Sequence, residues 1–205
     1  MEHKTLRFVT LGPAGSNHEF VTAAYLQHHG IADFSSVELV LSFDEAARKT
    51  LSGAADHIVQ VAVHPSTAEI VARYRKQLFI VDAFVSPSRD MAVVTRRDIR
   101  QPTSLALQPA TREYVDTSGL ELIPETSTAS VAQGLLAGKY ESGLTYASLA
   151  IDYPDRFRID TPIGTVDDAW LVYGRDQLSR GRLMSWPDSP AARRYRAFAR
   201  ERSVM

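Results

Sequence analysis

Apolar and polar positions alternate along this chain in short blocks whose period changes repeatedly. Residues 6–11 (Leu-Arg-Phe-Val-Thr-Leu) read as a strand ended by Gly12-Pro13. Residues 16–29 then read as a helix with Phe20, Val21, Ala24 and Tyr25 on its apolar face. A strand at 37–41 precedes a short helix through Leu51, with Ser42 as its cap and Asp44 and Glu45 in its first turn. Ile58 to Val63 is a nearly unbroken apolar run, the pattern of a parallel strand covered on both faces. Further strands are predicted at 77–85, 90–95, 103–107, 120–123, 142–145, 156–160 and 169–173, with helices at 109–116, 128–137 and 146–152 between several of them. Alternation of this kind predicts an α/β protein with crossover connections.

Two features predict two lobes. The charged stretch Arg96-Arg97-Asp98-Ile99-Arg100-Gln101-Pro102 reads as a break between two halves. The second half returns through Thr161-Pro162-Ile163-Gly164 to one last apolar strand, Trp170-Leu171-Val172-Tyr173. If that strand rejoins the first half, lobe one is about 1–95 plus 165–205 and lobe two about 96–164. Two crossings would then leave a cleft suited to a small ligand.

With 205 residues the chain fits one such fold better than two separate domains. It has no cysteine, which removes disulfides, thiolate nucleophiles and Cys-ligated metal sites and suits a reducing cytoplasm. No apolar run approaches the roughly 18 residues of a membrane-spanning helix. The opening Met1-Glu2-His3-Lys4 leads into a strand rather than a signal-peptide core. A formal net charge of -1 gives no general case for nucleic acid, but the charge is uneven. Residues 171–205 carry eight arginines and a balance of +5, against -6 for the rest. Ser189-Pro190 opens a terminal helix whose stripe of Ala191, Ala192, Tyr195, Phe198 and Ala199 should pack on the body or on a second subunit, so a homodimer is expected.

Four segments can carry chemistry. Leu11-Gly12-Pro13-Ala14-Gly15-Ser16-Asn17-His18-Glu19 is a glycine turn between strand and helix, where free backbone N–H groups and the helix dipole suit a carboxylate. It matches neither a dinucleotide fingerprint nor a phosphate loop, and a tight turn with Ser16 as cap accounts for it equally. Ala62-Val63-His64-Pro65-Ser66-Thr67 ends the apolar strand, where open α/β sheets place ligands, and His64 could serve as acid, base or donor or be purely structural. Thr126-Ser127-Thr128-Ala129 is a second strand-to-helix turn that either only caps or also binds an acid. Asp167-Asp168-Ala169-Trp170 pairs acids beside an indole on the returning strand, or is a solvated turn. No nucleophilic triad and no metal-ligand spacing can be assembled, so no metal and no cofactor are expected.

Together these segments resemble, in order over roughly residues 5–175, the prephenate dehydratase catalytic domain. Leu11-Gly12-Pro13-Ala14-Gly15-Ser16 is similar to that family's opening loop, and Ser127-Thr128-Ala129 to its Ser-Thr-Ala helix start. Leu107-Gln108-Pro109 stands where the family has Ser-His-Pro. The resemblance implies a periplasmic-binding-protein type II-like fold with the ligand cleft between its lobes. The chain stops about 30 residues past the last strand, so no regulatory ACT domain is expected. It also departs from the family. Its Pro-Ile-Glu-Asn-Ser segment is Val61-Ala62-Val63-His64-Pro65-Ser66 here, and the Thr-Arg-Phe signature is Asp168-Ala169-Trp170. These changes are similar to the offshoot formed by the prephenate decarboxylases of bacilysin biosynthesis and their secondary-metabolism relatives.

That likeness implies a cytoplasmic, cofactor-free lyase that removes CO2 from prephenate without making the ring aromatic. In such a site Gly15, Ser16 and Asn17 would hold one carboxylate and Ser127, Thr128 and Ala129 the other. His64 would contact the hydroxyl or relay a proton, Trp170 would wall the ring, and Ser66, Arg89 and Gln108 would complete the lining. Asp168 would be the complication, since a neutral aspartate there could donate to the hydroxyl and restore a dehydratase. A catalytically inactive small-anion binder is the third possibility.

Overall fold

The computed structural model describes residues 5–202. The opening Met1 to Lys4 and the last three residues lie outside the described part. Along the described chain run β1 (Leu6–Leu11), α1 (Asn17–His28), β2 (Ser35–Val40), α2 (Phe43–Leu51), β3 (His57–Val61), α3 (Thr67–Tyr74), β4 (Phe79–Pro87) and β5 (Met91–Arg96). They are followed by β6 (Ser104–Leu107), β7 (Glu121–Pro124), α4 (Thr128–Leu136), β8 (Ser142–Tyr146), α5 (Ser148–Asp152), β9 (Phe157–Gly164), β10 (Asp167–Gly174) and α6 (Pro190–Arg202).

These strands form two five-stranded sheets, ordered β2-β1-β3-β10-β4 and β7-β6-β8-β5-β9. In the first, β1 runs parallel to β2 and β3, while β10 is antiparallel to both β3 and β4. In the second, β6 is parallel to β7 and β8, and β5 is antiparallel to β8 and β9. Thus the returning strand does rejoin the first sheet, between β3 and β4. The lobe boundary, however, lies earlier than the charge pattern suggested: β5 belongs to the second sheet, so the chain crosses at 88–90 and returns at 165–166. Arg96-Arg97-Asp98 is a surface turn that starts at the last residue of β5, closed by the Arg96 guanidinium on Asp98, and not a linker.

Period-2 alternation sorts side chains to the two faces of the first sheet. Phe8, Val59, Trp170 and Val172 point to the α1 side with Val21 and Leu26, whereas Val9, Ile58 and Tyr173 point to the α2 and α3 side with Phe43, Ala46, Ala47 and Ile70. In α1 the buried stripe is Val21, Thr22 and Leu26; Phe20 is exposed instead of buried, and so is Ala24. The helix predicted at 109–116 is a 3-10 turn, Pro109–Tyr114, and α3 follows directly on the segment read as a ligand loop.

The two crossings are bonded to each other: Ser88 N–H donates to the Val166 carbonyl at 2.8 Å and Val166 N–H to Ser88 Oγ at 2.9 Å. Ser88 is buried, so this pair forms a fixed floor from which the two lobes rise.

Candidate active site

The Gly12–Ser16 loop leaves β1 where the lobes meet. Gly15 has φ of +78°, a conformation that disfavours any side chain. Ser16 caps α1, accepting from Glu19 N–H at 3.3 Å and donating to the Leu11 carbonyl at 3.1 Å. Both of its bonding directions are used inside the turn, and it is buried. Gly15 N–H is likewise taken, by Glu19 Oε2 at 2.5 Å. The loop therefore carries its own carboxylate, and an anionic ligand could use Gly15 only by displacing Glu19. This corrects the expectation that Gly15 and Ser16 offer free donors.

Across the cleft, Ser127 caps α4 by accepting from Ser130 N–H at 3.0 Å, and its hydroxyl also meets that of Ser130. Its side chain is a structural cap; the backbone N–H groups of Thr128 and Ala129, at the first helical positions, have no acceptor within the helix. Thr128 Oγ1 donates to the Tyr146 hydroxyl at 2.8 Å.

Tyr146, at the end of β8, is where the lobes converge, and the sequence reading did not select it. The Asn17 backbone N–H from lobe one lies against its phenol oxygen, and the Arg89 guanidinium stacks 4.2 Å from its ring centre. Burial pushes its phenol above the usual range, against the opposing pull of Thr128 and Arg89. Arg89, on the outgoing crossing, reaches both sides: its Nη1 donates to the Gly15 carbonyl at 2.6 Å and its Nη2 lies 3.5 Å from Ser148 Oγ, while its backbone N–H donates to Asn17 Oδ1 at 3.0 Å. Gly15, Asn17, Arg89, Thr128 and Tyr146 thus form one half-buried inter-lobe junction, with Arg89 as its cation and the Glu19 carboxylate on Gly15 at its edge.

His64 belongs to a second cluster. Its Nδ1 accepts from Ser66 N–H at 3.2 Å and lies 2.7 Å from Ser66 Oγ, which in turn accepts from Gln60 Nε2 at 3.3 Å. That network leaves the Ser66 hydroxyl proton for Nδ1, so the neutral ring carries its own proton on Nε2. Burial holds the imidazole below its ordinary pKa. Ser66 accordingly orients His64 rather than lining the cleft. The ring packs against Phe43 and His18, with centroids 4.9 and 6.2 Å away.

His18, which lies in the glycine-turn segment but carries no assigned role in the sequence, links the clusters, because it follows Asn17 in the first turn of α1. It stands edge-on to Trp170 at 5.1 Å. Trp170 is fully buried and sits one layer below, stacked on Phe84 in the core. The expectation that Trp170 forms the wall against a ligand is therefore corrected: a central strand with α1 on that face leaves it no open side.

Burial drives the His18 imidazole down to about 3, and its Nε2 is enclosed without a partner. Since the folded state prefers the neutral ring, stability should be lost as pH falls from about 6.5 toward about 3. Calorimetry or denaturant melts should show a loss of about 1–2 kcal/mol between about pH 6.5 and 5, diminished in a His18→Gln variant.

Asp168 points to the same face of β10 as Trp170, two residues nearer the crossing. It is half-buried, and desolvation followed by repulsion from Asp167 raises its pKa. The Tyr114 phenol, which comes from the second lobe, is raised by burial and then by the charge of Asp168. Asp168 therefore faces the cleft. Gln108 does not line it through its amide: Oε1 accepts from Ala110 N–H at 2.7 Å and starts the turn that presents Tyr114. Among the described residues no group of three acidic, His or Cys side chains is placed to hold a metal ion.

No family model matches the chain, and no curated protein does. Among solved structures the fold matches a prephenate dehydratase from Arthrobacter aurescens in complex with L-Phe, at 21% identity and a TM-score of 0.63, over 92% of this chain and 70% of that one. It also matches the periplasmic VFT2 domain of Bordetella pertussis BvgS (15% identity, TM-score 0.51, 84% and 81% covered). A third match is an ABC transporter from Parabacteroides distasonis (15% identity, TM-score 0.51, 97% and 70% covered). The chain has the two-lobed α/β fold of the type II periplasmic-binding-protein kind.

Proposed function

We propose that this chain is a cofactor-free lyase that takes prephenate between its lobes and removes CO2 from it while the ring stays non-aromatic. The observation that carries the reading is the inter-lobe junction. Prephenate has two carboxylates, and the junction sets the Arg89 guanidinium between the Asn17 turn of one lobe and the Thr128–Tyr146 pair of the other. The backbone N–H groups of Thr128 and Ala129 open the same helix end to an anion. Two of the five guanidinium donors are engaged by Gly15 and Ser148, which leaves others for a carboxylate.

Loss of CO2 breaks the bond between the ring and its carboxyl carbon, and the electron pair moves into the diene. If the C4 hydroxyl is protonated as this happens, water leaves and the ring becomes aromatic. If no acid reaches that oxygen, the pair is taken up by a proton on a ring carbon and the alcohol survives, giving a dihydro-4-hydroxyphenylpyruvate. Withholding a placed general acid is worth roughly 10²–10⁴ in rate, enough to divert the intermediate. His64 suits this, because a buried neutral imidazole donating through Nε2 can hydrogen-bond the hydroxyl while being a weak acid toward it. Ala169 has no acidic proton to give. A non-aromatic product of this type suits secondary metabolism, including antibiotic assembly, in the cytoplasm.

The half-buried, pKa-raised carboxyl of Asp168 supports a second reading, in which it protonates the leaving oxygen and the product is phenylpyruvate. Purified protein mixed with prephenate separates them: the proposal requires enzyme-dependent CO2 release with no rise of aromatic ketoacid absorbance. His64→Ala should lower kcat at least tenfold with its melting temperature nearly unchanged. Binding without any turnover would leave an anion-binding module.

A further inference from the structure

The segment after β10 departs from the body with its apolar side chains in water. Within a short stretch Leu183 is 93% exposed, Trp186 65% and Tyr195 72%, with Met184 and Leu178 also exposed. Such a concentration on a soluble chain marks a contact surface. The segment does not fold back at once: a tight turn, with Arg182 N–H on the Ser179 carbonyl and with Arg180 and Gly181 at φ of 46° and 76°, sends it away from lobe one.

At the root of this arm, Gln177 and Ser179 border a cavity of about 260 Å³ between α3 and the start of β4, walled by Ile70, Leu78, Phe79 and Ile80 and edged by Arg75. Tyr173 lines it, and its hydroxyl is buried with no partner. An apolar pocket with one unsatisfied acceptor fits an indole, whose N–H is a donor on an apolar ring. Charge points the same way, since residues 171–205 sum to +5 and the remainder of the chain to -6.

We propose that the arm crosses to a second copy of this chain, where Trp186 enters the cavity beside Tyr173 and the exchange is reciprocal. Because pocket and arm share a root, a two-fold axis near that root brings each arm to the other's pocket. The seven Cα-to-Cα steps from Ser179 to Trp186 span at most about 25 Å, ample for that distance. The acidic body attracts the basic arm of its mate, and the apolar contact fixes the register.

Sedimentation of the full chain should show a dimer that weakens at least tenfold in Trp186→Ser, an exposed position whose change leaves the fold intact, and again when salt rises from about 0.05 to about 0.5 M. As the chain lacks cysteine, mixing an Ile80→Cys variant with a Met184→Cys variant should yield a disulfide between chains under mild oxidation. A monomer at every concentration would overturn the proposal. So would a dimer indifferent to Trp186→Ser, a doubly substituted chain that closes on itself while monomeric, or a monomer whose arm instead sediments with phosphatidylserine vesicles.

Discussion

An Arg89→Met variant should bind prephenate about 10- to 100-fold more weakly than the parent while unfolding at nearly the same denaturant concentration. The size follows from the loss of charged hydrogen bonds, worth about 1.5–3 kcal/mol each when their partner is an ion. Arg89 is half-buried, its backbone N–H to Asn17 survives the substitution, and methionine keeps an apolar stem over the Tyr146 ring. Arg89→Lys should recover little. An ammonium cannot reach the Gly15 carbonyl, lie flat on Tyr146 and present a fork to a carboxylate together. Isothermal titration of both variants with prephenate checks this, and unchanged affinity would place the ligand elsewhere.

The second large effect concerns stability. Trp170→Ala should cost about 3–5 kcal/mol, because it opens a cavity between β10 and α1 under Phe8, Val21 and Leu26. Trp170→Phe should cost less than about 1.5 kcal/mol, since the indole N–H has no partner to lose and a ring still stacks on Phe84 and supports His18. Turnover in Trp170→Phe should stay within a few-fold of the parent. A variant that melts normally but has lost most of its kcat would instead return Trp170 to the ligand's side.

Much of the architecture was legible because local patterns agree with it. The strand at 6–11 has the same limits in the structure, and Ser16, Ser42 and Ser127 each cap the helix their position announced. The returning strand was recognisable from its apolar run, although only pairing shows that it runs antiparallel between β3 and β4. The lobe boundary was misread because a charged stretch looks alike in a linker and in an exposed turn; what assigns β5 to the second sheet is its ladder with β8 and β9. Alternation puts Trp170 on one face with Val172, but its burial follows only from the pairing that makes β10 a central strand.

The site was less legible, for a different reason. His64, Asp168, Asn17, Arg89 and Thr128 stood out by residue type at strand ends and helix starts. Tyr146 and His18 acquire meaning only where two lobes converge, and no local spacing encodes that meeting. Capping explains the overestimate at Gly15, Ser16 and Gln108: Glu19 and Ala110 already occupy groups that seemed free for a ligand.

Decarboxylation without aromatisation is tested most directly by the proton NMR spectrum of prephenate incubated with the protein in deuterated water. Olefinic ring signals, a retained proton on the hydroxyl-bearing carbon and one deuterium on a ring carbon are expected. Benzenoid signals of phenylpyruvate, persisting in the parent enzyme and vanishing in Asp168→Asn, would contradict it.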